Sequence, residues 1–152
     1  MAIRRFSHLG LCVADLDRAL AFYTKAIGFA EVARLSFSDA TTRTLLALPE
    51  AELEAVYLRR DGFTLELLHF PSPGTEPQDA PRPMNRTGLT HLSFQVTDLE
   101  LSLSAVRAAG GRVLDESHID VNGGAIMVLD PDGTRIELVS GDFDPATWGQ
   151  GD

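Results

Sequence analysis

Two histidines and two glutamates recur at matched places in the 152-residue chain. His8 opens the run His-Leu-Gly-Leu-Cys-Val-Ala-Asp-Leu over residues 8–16, and His91 opens His-Leu-Ser-Phe-Gln-Val-Thr-Asp-Leu over 91–99. Glu66 lies in Asp-Gly-Phe-Thr-Leu-Glu-Leu over 61–67, and Glu137 in Asp-Gly-Thr-Arg-Ile-Glu-Leu over 132–138. The first pair of frames is offset by 83 residues and the second by 71, so the first half carries 12 more residues between its His and its Glu. Two matches in the same order argue for a duplicated module. Neutral imidazole and carboxylate are the ligands of an N2O2 metal site with room for water on an octahedral ion. Carboxylates crowded together without a cation would repel, and one would stay protonated. The set suits Zn, Ni, Co, Mn or Fe(II), and the single cysteine, Cys12, argues against a Cys-type structural zinc site.

The elements that position these residues follow from patterning. Each His sits on an alternating stretch that reads as a half-buried strand running into a helix N-cap, Asp15 or Asp98. Leu16, Leu20, Tyr23 and Ile27 then form a helical stripe stopped at Gly28; Leu99, Leu103 and Val106 repeat it and stop at Gly110-Gly111. Strands are expected near Glu31–Phe37, Thr44–Leu48, Ala55–Arg59 and Thr64–Phe70, then near Arg112–Glu116, Ala125–Leu129 and Thr134–Ser140. Residues 48–52 fit a short helical turn as an alternative. The Asp-Gly pairs at 61–62 and 132–133 are hairpin signals.

Side chains alternate along a strand. Leu9, Leu11 and Val13 must pack on the helix, so His8, Gly10 and Cys12 face away. By the same parity His91, Ser93 and Gln95 face away, as do Thr64, Glu66 and Leu68, and Arg135, Glu137 and Val139. Each repeat therefore puts one His and one Glu on the sheet face opposite its helix. Two such faces brought together make a concave cup about a pseudo-twofold axis. Taken singly, each of the four fits an ordinary strand residue; tied by the repeat register, they favour a metal site. The cup walls would be Leu68, Phe70, Met127 and Val139, with Cys12, Gln95 and Arg135 also on the substrate side. His69 on the packing face and His118 in an expected loop are read as structural.

The domain reading is a first module over residues 1–70, a Pro-rich linker over 71–88, a second module over 89–141 and a tail over 142–152. Five of the eight prolines lie in 71–83. The linker reads first as a connector and alternatively as a lid with contacts from Met84 and Arg86. A balance of 13 Lys+Arg against 22 Asp+Glu gives a formal −9, which opposes binding to nucleic acid. No apolar run approaches the roughly 18–20 residues of a membrane span, and no signal peptide is visible. One cysteine suits a reducing cytoplasm.

These residues resemble the glyoxalase/bleomycin-resistance/extradiol-dioxygenase group, the vicinal oxygen chelate superfamily. The carriers are His8-Leu-Gly-Leu, Asp15-Leu16, Phe22-Tyr23, Gly28-Phe29, Leu65-Glu66-Leu67, His91-Leu-Ser-Phe and Asp130-Pro-Asp-Gly-Thr-Arg-Ile-Glu137-Leu. The resemblance implies an α+β fold of two tandem βαβββ modules forming a curved mixed sheet. It implies His8, Glu66, His91 and Glu137 as ligands and a homodimer, often with ligands from both chains. The full His/Glu/His/Glu set is similar to glyoxalase I, a lyase, and to methylmalonyl-CoA epimerase. The shared chemistry is Lewis-acid stabilisation of an enolate or enediolate with proton abstraction by a carboxylate, Glu137 first and Glu66 second. Glutathione-using relatives often have an Arg four residues after the first His, where this chain has Cys12. They often have an Asn four residues after the first Glu, where it has Phe70. The expected function is a metal-dependent lyase or isomerase acting on a small oxygen-chelating substrate. The alternatives are a metal-free protein that sequesters a drug or natural product and, more remotely, an Fe(II) extradiol-type dioxygenase.

Overall fold

A computed structural model of the chain describes residues 2–77, 81–120 and 123–141. The chain divides into two compact units, Met1–Pro77 and Gln78–Asp152. The first contains β1 (Leu9–Cys12), α1 (Leu16–Lys25), β2 (Ala30–Phe37), α2 (Ala40–Leu46), β3 (Glu52–Arg60) and β4 (Phe63–Ser72). The second contains β5 (Leu92–Val96), α3 (Leu99–Ala108), β6 (Arg112–Ile119), β7 (Ala125–Leu129) and β8 (Arg135–Ser140). The sheets have the same order, β1-β4-β3-β2 and β5-β8-β7-β6. In each the first strand pairs in parallel with the last, and the other pairings are antiparallel. Each unit is thus a βαβββ module, with α2 inserted in the first, and the expected α+β architecture is present in both.

Local chemistry explains why the elements start and stop where they do. The Asp15 carboxylate accepts from the backbone N–H of Arg18 at 2.9 Å, and Asp98 accepts from Leu101 at 2.9 Å, each capping its helix. Behind α1, Leu16, Ala19, Phe22 and Tyr23 are buried; behind α3, Leu103 and Val106 are buried. The Asp61-Gly62 turn has φ of 50° and 78°, the doubly positive pair of a two-residue type I′ hairpin, and it sets Arg60 opposite Phe63. In the second module the loop is longer. The Asp130 carboxylate, 3% exposed, accepts from the backbone N–H groups of Asp132 at 2.9 Å and Thr134 at 2.7 Å. It thereby rigidifies the approach to β8.

Three expectations are corrected. Thr44–Leu48 is not a strand: its first residues belong to α2, and Asp39 caps that helix by accepting from Thr42 N–H at 3.0 Å. This helix and its flanks account for most of the longer His-to-Glu spacing of the first module, where β2 ends at Phe37 and β3 starts at Glu52. His118 lies within β6, exposed, instead of in a loop. The strand β4 continues to Ser72, past residue 71 where the linker was expected to start. The expected tail, 142–152, lies outside the described residues. Among the described residues no helix is long and apolar enough to cross a membrane.

The α2 cap carries a pH prediction. Hydrogen bonds from the Thr42 backbone and hydroxyl hold the Asp39 carboxyl below its ordinary 3.8. A depressed folded value means that the stabilisation is complete above 3.8 and is lost as pH falls through the lower folded value. Amide exchange in α2 is therefore expected to accelerate relative to α1 below that point. Asp39→Asn, which caps without titrating, should remove the pH dependence.

Candidate metal-binding pairs

In the first module the parallel register sets Leu9 beside Leu65 and Gly10 beside Glu66. Leu65 and Leu67 are fully buried on the helix side, so Glu66 between them must emerge on the opposite face. His8, just before β1, has the same parity. Its Nε2 stands 3.2 Å from Glu66 Oε2. The second module repeats this with Leu92 beside Ile136, Ser93 beside Glu137, and Ile136 and Leu138 buried. His91 Nε2 stands 3.6 Å from Glu137 Oε2. Two ligands at about 2.1 Å and cis on an octahedral ion stand about 3 Å apart. Both pairs are close to that separation.

The other imidazole nitrogen is engaged in both modules by the hydroxyl of the preceding residue. Ser7 Oγ lies 3.0 Å from His8 Nδ1, and Thr90 Oγ1 lies 2.9 Å from His91 Nδ1. A ligating histidine needs its free ring nitrogen aimed at the metal and its protonated one held elsewhere. In both modules the nitrogen facing the carboxylate is Nε2. Among the described residues no three His, Cys, Asp or Glu side chains form a metal-sized group, so each module on its own supplies one pair.

Each glutamate also has one hydroxyl partner, taken from opposite neighbouring strands. Tyr57 on β3 is the cross-strand partner of Glu66 and is hydrogen-bonded to it. Burial, then the contact with Glu66, push the Tyr57 phenol up to about 12, so it remains a donor at neutral pH. On the other side of Glu66 is Gly10, where an added Cβ would come within 3.1 Å of Leu68 Cδ1 and 3.7 Å of Glu66 Oε2. In the second module the partner of Glu137 on β7 is the thioether Met127, and the hydroxyl comes from Ser93, whose Oγ donates to Glu137 Oε2 at 2.6 Å. The Glu66 side chain is 11% exposed and that of Glu137 is 26% exposed. Glu66 is thus the more confined carboxylate.

The expected wall residues take varied positions. Leu68 and Phe70 are half-buried, Cys12 is exposed, Met127 is half-buried, and Val139 is buried beside Ala125. Gln95 donates its amide to the carbonyl of Gly141. The Arg135 guanidinium donates to the carbonyl of Arg82 at 2.8 Å. Arg82 in turn donates to the carbonyls of Arg86, Thr87 and Leu89, closing the loop before β5. Gly88, with φ of 125°, leaves room for that guanidinium where a Cβ would meet it at 2.8 Å. Met84 and Arg86 in the same loop are exposed. Tyr57 and Ser93 were not among the candidate site residues. The Asp61-Gly62 turn fixes the hairpin register, and counting back from Arg60 and Phe63 pairs Tyr57 with Glu66.

Residues 5–138 match the Glyoxalase/Bleomycin resistance protein/Dioxygenase superfamily. The chain belongs to this superfamily. It is 30% identical over 142 residues to a putative lactoylglutathione lyase of Brassica oleracea var. gemmifera, covering 90% of this chain and 44% of the relative. It therefore spans less than half the length of that plant protein. It is also 30% identical to a probable lactoylglutathione lyase of Vibrio parahaemolyticus, covering 91% of this chain and 92% of the relative. Epimerases occur among the relatives at 27% and 31% identity. A glyoxalase family protein from Bacillus cereus has the same fold, with a TM-score of 0.80, 21% identity, and coverage of 92% of this chain and 97% of that one.

Proposed function

We propose that this glyoxalase-superfamily chain is a divalent-metal-dependent lyase or isomerase that moves a proton on the carbon next to a carbonyl of a small, oxygen-chelating substrate. His8, Glu66, His91 and Glu137 would hold the metal, the faces of the two module types being paired within one chain or between the copies of a homodimer. The observation that carries this reading is the repeated pair, an Nε2 and a carboxylate at 3.2 Å and 3.6 Å, each with its Nδ1 engaged by a hydroxyl. The donor types fit Zn, Ni, Co, Mn or Fe(II). When bound, the metal supplies Lewis-acid stabilisation of negative charge on the substrate oxygen.

The remaining work falls to the chain's own residues. Glu137, the more exposed carboxylate, is the general base that takes the proton; removing a positioned base typically costs about 10²–10⁴-fold in rate. The Ser93 hydroxyl holds Glu137 Oε2, leaving the other oxygen to accept the proton. Glu66, confined between His8 and Tyr57, stays fixed as a ligand. Cys12 and Phe70, where glutathione-using relatives often carry Arg and Asn, point to a substrate other than a glutathione adduct.

The test is proton wash-in. The metal-loaded protein is incubated in deuterium oxide with 2-oxoaldehyde adducts and with acyl-CoA epimers, and deuterium at the carbon next to the carbonyl is read by mass spectrometry. Exchange that disappears in Glu137→Gln supports the reading. A protein that takes up none of the five metals and still binds small molecules tightly would instead be a sequestering protein.

A further inference from the structure

On the His8 side of the first module the sheet face opens into a cavity of about 550 Å³. Its walls include Arg5 from the arm before β1, Arg59 from β3, and Ser7, Tyr57, Thr64 and His8. Arg59 and Thr64 are opposite one another in the β3–β4 register, two residues nearer the turn than Tyr57 and Glu66, so they share the face of the candidate ligands. The lining residues include two arginines, both exposed, and no Asp or Glu, in a chain with 22 acidic and 13 basic residues. Among the described residues neither Arg5 nor Arg59 forms an ion pair. Two like charges facing one cavity repel each other unless an anion comes between them. A guanidinium presents a planar fork of donors suited to carboxylate or phosphate oxygens. The hydroxyls of Ser7 and Thr64 add further donors.

We propose that this cavity is an oxyanion subsite, in which Arg5 and Arg59 hold a carboxylate, phosphate or phosphonate group of the substrate beside His8. That the anion belongs to the substrate rests on the function proposed above; the binding of the anion does not. The subsite makes the substrate bifunctional, with a chelating oxygen for the metal ligands and an anionic group for the arginines.

The experiment follows the arginine Nε–Hε signals of the metal-free protein by NMR while inorganic phosphate, and separately acetate, is titrated at ionic strength matched with chloride. Saturable shifts of two arginine signals are expected. Arg59→Gln and Arg5→Gln should each weaken binding by at least about tenfold, the scale of one charge-assisted hydrogen bond. Arg59→Lys should fall between Arg59→Gln and the parent. Preference for phosphate or for acetate identifies the group the site is built for. His91→Ala, which removes a ligand in the other module, should leave phosphate affinity unchanged, and Arg59→Gln should leave metal content unchanged. Undiminished binding in the Arg5→Gln/Arg59→Gln double variant, or no saturable binding of either anion, overturns the subsite. A lack of metal uptake alongside intact phosphate binding overturns the proposed function and leaves the anion site standing.

Discussion

His91→Ala is expected to strip the protein of its metal. Loss of a partner that merely orients a ligand typically costs about 10–100-fold in metal affinity. Loss of the ligand itself should cost at least about 100-fold, beyond what elemental mass spectrometry detects after desalting. Glu137→Gln should behave differently in kind. An amide oxygen still ligates, more weakly than a carboxylate, but it cannot accept a proton. Metal content should therefore fall part-way while proton wash-in falls by about 10²–10⁴-fold. Ser93→Ala, which removes the 2.6 Å hydrogen bond to Glu137, should give a smaller loss of both. Full metal occupancy in His91→Ala would refute the ligand assignment. The pairing of modules can be read from the same variants. His8→Ala and His91→Ala proteins would each lack one ligand at every site. If sites form between chains, unfolding and refolding the two together yields heterodimers in which one site has all four ligands, and metal binding returns. If sites form within a chain, mixing restores nothing.

How far the sequence carries depends on which physical rule governs each feature. The face of Glu66 was legible because period-two alternation leaves no choice: Leu65 and Leu67 are both fully buried, so the residue between them must emerge opposite. The same rule placed His91 and Glu137 on one face, and the caps Asp15 and Asp98 fixed where each helix starts. The helix α2 was missed because Thr41, Thr42 and Thr44 are β-branched and lean toward a strand. Its formation rests on Asp39, whose carboxylate takes both the backbone and the hydroxyl of Thr42, and on Ala47 adopting a left-handed φ of 52° at its end. The surroundings of Arg135 were not legible for a different reason. Parity gives the face of a side chain but not what a loop brings to it, and the 81–90 loop engages its guanidinium through the Arg82 carbonyl. Tyr57 was within reach of a count from the Asp61-Gly62 turn. What the count could not supply is that its hydroxyl, and not that of a residue at position 10, completes Glu66.

Leu67→Ala is expected to cost about 2–5 kcal/mol, the range for deleting a buried leucine side chain. Leu67 is fully buried, with Leu11 on one side and Val56 on the other in the sheet register. The neighbouring Leu68 is half-buried on the opposite face, against Gly10. Leu68→Ala should cost less than half as much in urea unfolding with an unchanged m-value. The two should diverge in the other direction for ligands: Leu68→Ala alters the wall beside Glu66 and should change small-molecule affinity, whereas Leu67→Ala at temperatures where it remains folded should not. A larger stability loss from Leu68 than from Leu67 would invert the face assignment and move Glu66 to the helix side. The contrast matters because one strand does both jobs. Its odd-numbered residues hold the module together, its even-numbered ones carry the carboxylate and the wall, and a single-residue slip of β4 would exchange them. The buried leucines on either side of Glu66 are thus what fixes the carboxylate opposite Tyr57 and within 3.2 Å of His8.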